Sequence, residues 1–534
     1  NEKGEETMKI NKKEILVLII VFILQTLIYV YVGSNKGYLH MDEAYSFGLS
    51  NYDKVDIQNN EDFFNKWHNK EYYEDFLVVN EDESGDFKPV YENQVNDVHP
   101  PLYYLLLRIN MELAKEKFSL WTGIGLNIII YIFITFFMYL ILKKLFKEDN
   151  YATEKSAILA FASSVILGSL SNVIYIRMYA LLTLEILITT YLHIKLKESE
   201  NIKPKILIEI GITVLAGLLT HYYYILYLAP LYILFLVQYL KEKQIKRLVI
   251  YTLTMAIAGI ISLIIFPYSI QHMFFGYRGQ GAISNLKNIK EILPNLFTQI
   301  QNLNYYGFNT LLPIIFIIII GVLIYNYKNK TKHLILRNEE KEILKIISIP
   351  SIFFFIITSI TCPWRVLRYF VPACGLLFVL VMYCFYKVLQ AVFNEKTTNI
   401  LTSIFLCVLL IVPIIFKLEP ELWYRDRKEI VEELNGEFNL PTIYLYNSQN
   451  SIFLDDILLF SIIDESYVAR DMDCTEENIQ KIFENKDIKK GIIVFINKGQ
   501  DNEKLLNTVK MSLNFNNFEH LKKLNSADVY YIFN

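Results

Sequence analysis

The stretch Ile15–Val32, ILVLIIVFILQTLIYVYV, followed by Gly37-Tyr-Leu-His-Met-Asp-Glu-Ala-Tyr-Ser46, decides how the chain is read. The first 18 residues carry no charge and are long enough to cross a hydrocarbon core of about 30 Å as a helix. The run is longer than the apolar part of a typical signal peptide, and no small-x-small cleavage site precedes Asp42. It therefore reads as an uncleaved transmembrane helix. Asp42 and Glu43 follow a few residues beyond it. Adjacent carboxylates are costly near hydrocarbon, and their position points to chemistry at the membrane surface.

The rest of the chain agrees. Of its 534 residues 53% are hydrophobic, too apolar for one large soluble protein. A net charge of −3 excludes a globally basic nucleic-acid binder, and there is no Gly-rich phosphate loop. Of the five cysteines, Cys362, Cys374, Cys384 and Cys407 lie in or beside apolar segments, where packing suffices to explain them. No disulfide framework or zinc spacing is present. Eleven segments are apolar enough to span: 15–32, 120–142, 156–172, 178–195, 206–220, 222–240, 248–266, 308–326, 346–361, 370–388 and 399–416.

Lysine placement orients them. Lys9, Lys12 and Lys13 precede the first span, and every second loop is basic: Lys143 to Lys155, Lys195 to Lys205, Lys241 to Arg247, Lys328 to Lys345, and Lys387 with Lys396. The positive-inside rule makes these loops and the N-terminus cytoplasmic, in the plasma membrane, and an odd number of spans leaves the C-terminus outside. The first outer loop, 33–100, carries 15 acidic and 5 basic residues. Its aromatic residues predict interfacial helix near Asp62–Glu74. The second, 267–307, predicts an interfacial helix over Ile283–Asn304.

Beyond residue 416 the character changes. Thr442–Tyr446, Tyr467–Arg470, Gly491–Asn497 and Val529–Phe533 read as strands, and Arg427–Asn435, Thr475–Asn485 and Glu503–Leu513 as helices. The expected fold is thus a polytopic α-helical membrane protein of about eleven transmembrane helices with a small extracytoplasmic α/β domain. The domains would be 8–416, including outer loop 33–100, and 417–534. The latter shows no catalytic motif and reads as an acceptor-docking or stabilising domain.

Several residues carry chemistry beside a plainer reading. Asp42 and Glu43 either cap an interfacial helix or supply a general base for an acceptor hydroxyl. In Val98-His-Pro-Pro-Leu-Tyr-Tyr104 the two prolines start a helix well; His99 at such a terminus can meet an anion or, with Asp97, a metal. Arg177 and Arg368 stand at outer turns, against the trend of basic residues inside. They either snorkel or bind phosphate with the planar two-donor fork that suits it; Arg278 and Arg365 are weaker versions of the same idea. His221, in Thr220-His-Tyr-Tyr-Tyr224, is either part of an aromatic belt or a metal ligand or proton relay.

Taken together, Asp42-Glu-Ala-Tyr45, His99-Pro-Pro-Leu-Tyr-Tyr104, Arg177-Met-Tyr-Ala-Leu181 and Arg368-Tyr369 with Pro372 resemble a GT-C superfamily membrane glycosyltransferase of the bacterial protein O-mannosyltransferase and aminoarabinose transferase-like group. The resemblance covers roughly residues 10–415. It implies transfer, on the outer face, of a sugar from a polyprenyl-phosphate donor to a lipid, glycan or protein acceptor. It implies Asp42 as base with Glu43 in support, and Arg177, Arg368, His99, Arg278 and Tyr369 as contacts to the donor phosphate. The aminoarabinose transferases have Glu-Lys-Pro-Pro where this chain has Asp97-Val-His99-Pro-Pro: His99 matches their lysine, and the acid matching their metal ligand stands one residue earlier. A divalent metal ion would then draw on Asp97 and His221. The competing classes are a secondary transporter, which would need ionisable groups near the midplane and repeated halves, and a non-catalytic scaffold with an outer docking domain. Glu185 is the one candidate intramembrane acid.

Overall fold

The computed structural model describes residues 11–51, 63–199, 201, 203–329, 336–425, 427–428, 439–447, 453–470, 474–524 and 526–534. Lys9, Lys330, Lys332 and most of the expected helix Arg427–Asn435 lie outside the described residues. The chain packs as two units.

The first unit takes in Asn1–Ser34, Asp97–Tyr103 and Ile124–Leu422. Ten of the eleven apolar segments each fall on one helix, and 156–172 falls on two. Among the described residues nine helices are long and apolar enough to cross a membrane: Lys12–Ser34, Leu120–Leu145, Tyr179–Glu198, Tyr224–Lys241, Ile245–Ile265, Leu312–Asn329, Asn338–Thr361, Val371–Gln390 and Glu395–Ile415. Ala152–Ser164 and Leu167–Ile174 meet at a 60° bend and make a tenth if they form one broken span. Pro204–Thr220 has 17 residues, about 26 Å of helix, which falls short of a hydrocarbon core of about 30 Å. Tyr179–Glu198 and Val371–Gln390 are the enclosed spans, each 78% buried, whereas Leu312–Asn329 is only 11% buried and turns Ile314, Ile317, Ile320 and Ile324 outward. Glu185 is enclosed too and accepts a hydrogen bond from the Thr220 hydroxyl at 2.6 Å. Thr190 and Tyr227 pair at 2.7 Å beside it, the kind of interhelical polar contact that holds membrane helices together. The expected helix over Ile283–Asn304 is two helices, Tyr277–Lys287 and Ile289–Asn302, parted at Asn288.

The second unit takes in Asn35–Asn96, Tyr104–Gly123 and Trp423–Asn534. Its centre is a six-stranded sheet of β1 (Trp67–Asn69), β2 (Thr442–Tyr446), β3 (Glu465–Arg470), β4 (Ile492–Asn497), β5 (Asn517–Lys523) and β6 (Ala527–Phe533), in the order β1-β3-β2-β4-β6-β5. β2 runs parallel to β3 and β4, and every residue of β2 and β4 is buried. Such continuous apolar runs mark strands covered on both faces. Helices Glu476–Phe483 and Asn502–Ser512 supply Ile479, Phe483, Leu506 and Val509 to the core on one of them. β1 comes from the loop before residue 97 and pairs antiparallel with β3, Trp67 opposite Tyr467. Where a helix was expected over Asp62–Glu74, the described part is this strand followed by helix Lys70–Glu74, capped by Asn69. Arg108, fully buried, ties the unit's segments together through Asn51, the Glu83 carbonyl at 2.7 Å and Glu112 at 3.0 Å.

Candidate active site

In the first unit, five segments far apart in sequence bring their chemistry-bearing residues together. Pro100 and Pro101 lie just ahead of helix Leu102–Met111, where the fixed φ of proline suits a helix start. Just before them His99 Nδ1 lies 2.8 Å from Asp97 Oδ2. The His99 ring is 5.7 Å from that of His221, and His221 is 5.5 Å from Tyr179. His221 closes helix Pro204–Thr220, and its Nδ1 accepts the Tyr223 N–H at 2.9 Å, which fixes the turn into the next helix. Arg177, buried, lies in the tight turn between helices Leu167–Ile174 and Tyr179–Glu198, its N–H donating to the Tyr175 carbonyl at 2.8 Å. Arg368 donates to the Tyr175 hydroxyl at 2.8 Å. Arg278 and Arg368 converge on the Trp364 ring, at 4.5 and 5.2 Å from its centroid. Tyr369 lies 6.2 Å from Tyr223 and 5.4 Å from the Arg368 guanidinium. Arg365 is separate: it pairs with Glu291 and Asn295, each at 2.6 Å.

The charges interact. Burial alone would raise the Asp97 carboxyl, but His99, bonded to it, and Arg177 reverse the effect and hold it below the usual carboxylate range. Burial, reinforced by His99 and Arg177, holds His221 well below the ordinary imidazole value, so it is neutral. Glu421 is pushed up to about 7 by burial, with Arg368 pulling the other way. The Asp97 carboxylate thus already serves His99 and Arg177, and one His221 nitrogen serves a backbone amide. Among the described residues no three His, Cys, Asp or Glu side chains are grouped to hold a metal. A zinc site, which asks for at least three protein ligands, is not formed by these donors, whereas Mg²⁺ is commonly held by one or two carboxylates and water.

In the second unit, Asp42 and Glu43 open helix Met41–Asn51 and part in role. Glu43 is fully buried; its Oε2 accepts from Lys36 Nζ at 3.0 Å and from the His40 N–H at 2.8 Å. Lys36 is equally enclosed, and burial lowers its ammonium from the ordinary lysine value although Glu43 opposes this. Asp42 keeps a side chain 21% exposed. Its carboxylate is 3.5 Å from His40 Nδ1, which accepts the Asp42 N–H at 3.1 Å. One carboxylate is therefore locked into structure, and its neighbour is reachable.

Sequence reasoning missed a second adjacent pair in the same unit. Asp455 and Asp456 end the 3-10 turn Phe453–Asp456. Asp455 Oδ1 accepts the Met41 N–H at 2.6 Å; Asp456 accepts from the Tyr38 hydroxyl at 3.0 Å and from the Ser526 hydroxyl. Burial pushes Asp455 up to about 6 and Asp456 up to about 7. The signal was the one that marked Asp42 and Glu43: two acids inside an apolar run, here Phe453-Leu-Asp-Asp-Ile-Leu-Leu-Phe460. Trp364, Tyr175 and Tyr179 were missed as well, since interfacial aromatics are too common to stand out.

No family model matches the chain, and no curated protein matches it. Among solved structures it is similar to ArnT from Cupriavidus metallidurans bound to undecaprenyl phosphate, with a TM-score of 0.50 and 8% identity across 96% of this chain and 97% of that one. The apo state of the same protein gives 0.49 and 9%, with coverage of 96% and 97%. The Archaeoglobus fulgidus oligosaccharyltransferase in complex with Zn and sulfate gives 0.43 and 11%, across 95% of this chain and 72% of that one. The likeness to ArnT is one of fold. The chain is an integral, multi-pass membrane protein with an ArnT-like fold and a small C-terminal sheet domain.

Proposed function

We propose that the chain is a glycosyltransferase that moves a sugar from a polyprenyl-phosphate donor to an acceptor hydroxyl. The observation that carries this reading is the gathering of Arg177, Arg278 and Arg368 with Asp97, His99 and His221, on the fold of a protein solved with undecaprenyl phosphate. Arginine forks stabilise the charge that develops on a departing phosphate. Tyr369 and His99 complete the donor contacts. The basic inner loops support a cytoplasmic N-terminus and an outer C-terminal domain, which puts the reaction on the outer face.

Asp42 takes the proton of the acceptor hydroxyl. The oxygen so freed forms a bond to the anomeric carbon as the bond from that carbon to the phosphate oxygen breaks. The electron pair leaves with the lipid phosphate, and in-line attack inverts the anomeric centre. Phosphate leaves without a general acid, so one base suffices, unlike the two carboxylates of glycoside hydrolysis. The exposure of Asp42 and the enclosure of Glu43 support giving the proton to the first and the support of its helix to the second.

Asp42→Asn tests this. It should abolish the glycoconjugate seen by mass analysis of cell-surface material, while the purified variant still binds polyprenyl phosphate. General base catalysis is worth about 10²–10⁴-fold. Retention of more than about a tenth of the product would remove Asp42 from that role.

A further inference from the structure

Asp455 and Asp456 have no part in the reaction as written above, yet they reach the segment that carries its base. The first amides of a helix have no partner within it. For helix Met41–Asn51 the Met41 amide is met by Asp455, 414 residues away in sequence, at 2.6 Å. Asp456 holds the Tyr38 hydroxyl at 3.0 Å. Glu43 closes the same turn from its own side through the His40 N–H at 2.8 Å. All four side chains that do this, Tyr38, Glu43, Asp455 and Asp456, are buried. Residues 38 to 43 are therefore pinned at Tyr38, His40 and Met41, with Asp42 next in the chain.

We propose that Asp455 is a positioning residue for Asp42: through the Met41 amide it fixes the helix turn that presents the base, and it places a second negative charge within that carboxylate's field. The C-terminal domain is then a working part of the transferase rather than a docking module. The inference rests on the reading of Asp42 as base. An asparagine or serine oxygen would cap a helix as well as an aspartate does, so the charge has a separate consequence. Asp42 and Glu43 raise Asp455, and interaction between two titrating groups is mutual. Asp455 therefore disfavours the ionised form of Asp42 and makes it the stronger base. The other groups facing this turn are Asp456 and Arg427 from the C-terminal segment and Lys36, Tyr38, His40 and Glu43 from its own. Lys36 pairs with Glu43, and Arg427, 5.5 Å from the Tyr38 ring, acts on Asp455 and Asp456 against burial.

Two measurements on the full-length protein in detergent need no substrate. Labelling of carboxyls with a carbodiimide and glycinamide, read by mass spectrometry across pH, gives the pH at which Asp42 is half protonated. Asp455→Asn, which keeps the shape and an acceptor oxygen, should lower that pH, and Asp455→Glu should return it toward the native value. Hydrogen exchange in residues 36–51 should quicken about ten-fold or more in Asp455→Ala, on the order of the loss of a helix cap, but not in Asp455→Asn. Surface product should fall in both the Asn and Ala variants. An unmoved Asp42 labelling curve in Asp455→Asn, or unchanged exchange in Asp455→Ala, overturns the proposal. An active Asp42→Asn overturns instead the base reading beneath it, whatever the labelling shows. If Asp455→Ala fails to fold, the labelling curve of Asp455→Asn still decides.

Discussion

Lys36 and Glu43 offer the sharpest physical test of how the base segment is held. Their charged atoms are 3.0 Å apart and both side chains are fully enclosed. At an effective dielectric of about 20 such a pair attracts by roughly 5–6 kcal/mol, and much of this only repays the water both ions gave up. The informative perturbation is therefore removal of one partner. Lys36→Met leaves Glu43 buried with the His40 amide as its remaining named donor, and an uncompensated buried charge costs about 3–5 kcal/mol. At roughly 2–4 °C per kcal/mol for a unit of this size, the midpoint of its thermal transition should drop by some 6–20 °C. Adding Glu43→Gln removes the stranded charge and keeps an acceptor for the His40 N–H. The double variant should return to within about 1 kcal/mol of the native protein, because neutral replacement of a buried pair is often nearly free. The assay is thermal unfolding of the purified full-length chain in detergent, followed by tyrosine and tryptophan fluorescence and completed as a double-mutant cycle. A single variant within about 1 kcal/mol of native, or a double variant no better than the single one, would refute the reasoning.

Arg368→Ala should weaken the binding of polyprenyl phosphate by about 1.5–3 kcal/mol, as for a hydrogen bond to a charged group, and Arg368→Lys by less, since the charge survives but the fork does not; unchanged affinity in Arg368→Ala and Arg177→Ala would place the phosphate elsewhere. Asp455 and Asp456 have carboxyls raised above their unfolded value near 3.8, so the folded state binds protons more tightly than the unfolded one, and their contribution to stability falls as pH rises from about 4 to 7; Asp456→Asn should melt higher than the native protein at pH 7.5 and level with it near pH 4. Cysteine labelling placed after Phe416 should find the C-terminal residues outside the cell, and a cytoplasmic result would break the proposed orientation.

The membrane helices were legible because their signal is local. A run of 17 or more apolar residues announces itself, and lysines at alternate ends suggest the order of crossing. Where the reading slipped, the cause was not local. Asn288 divides the helix expected over Ile283–Asn304 because its φ and ψ of −85° and 75° are not helical, and nothing in that stretch apart from Pro294 announced a break. β1 carries only Trp67, His68 and Asn69, too short for any alternation to show, and exists because β3 offers it an edge. β5 reads Asn-Phe-Glu-His-Leu-Lys-Lys and is almost wholly exposed. Charged edge strands of this kind guard a sheet against pairing with other chains, and the same charges hide them from a search for apolar runs.

The residues of the candidate site divide in the same way. His99, Arg177, His221, Arg278 and Arg368 were singled out because a polar residue at the end of a span is conspicuous, whereas Trp364 and Tyr175, which meet Arg368, look like any other belt aromatic. Asp455 and Asp456 went unread for a different reason. A carboxylate pair was weighed only where a membrane made it expensive, at residues 42 and 43. The interior of a folded domain makes it as expensive: burial lifts Asp456 to about 7, near the point where it gives up its charge. The physical question is the same at both places, namely what compensates an acid that water does not. At Glu43 the answer is Lys36. At Asp455 and Asp456 it is a helix amide and a tyrosine hydroxyl from the segment that carries Asp42. Two pairs of acids, each singled out by the cost of burying charge, thus lead to the same turn of the same helix.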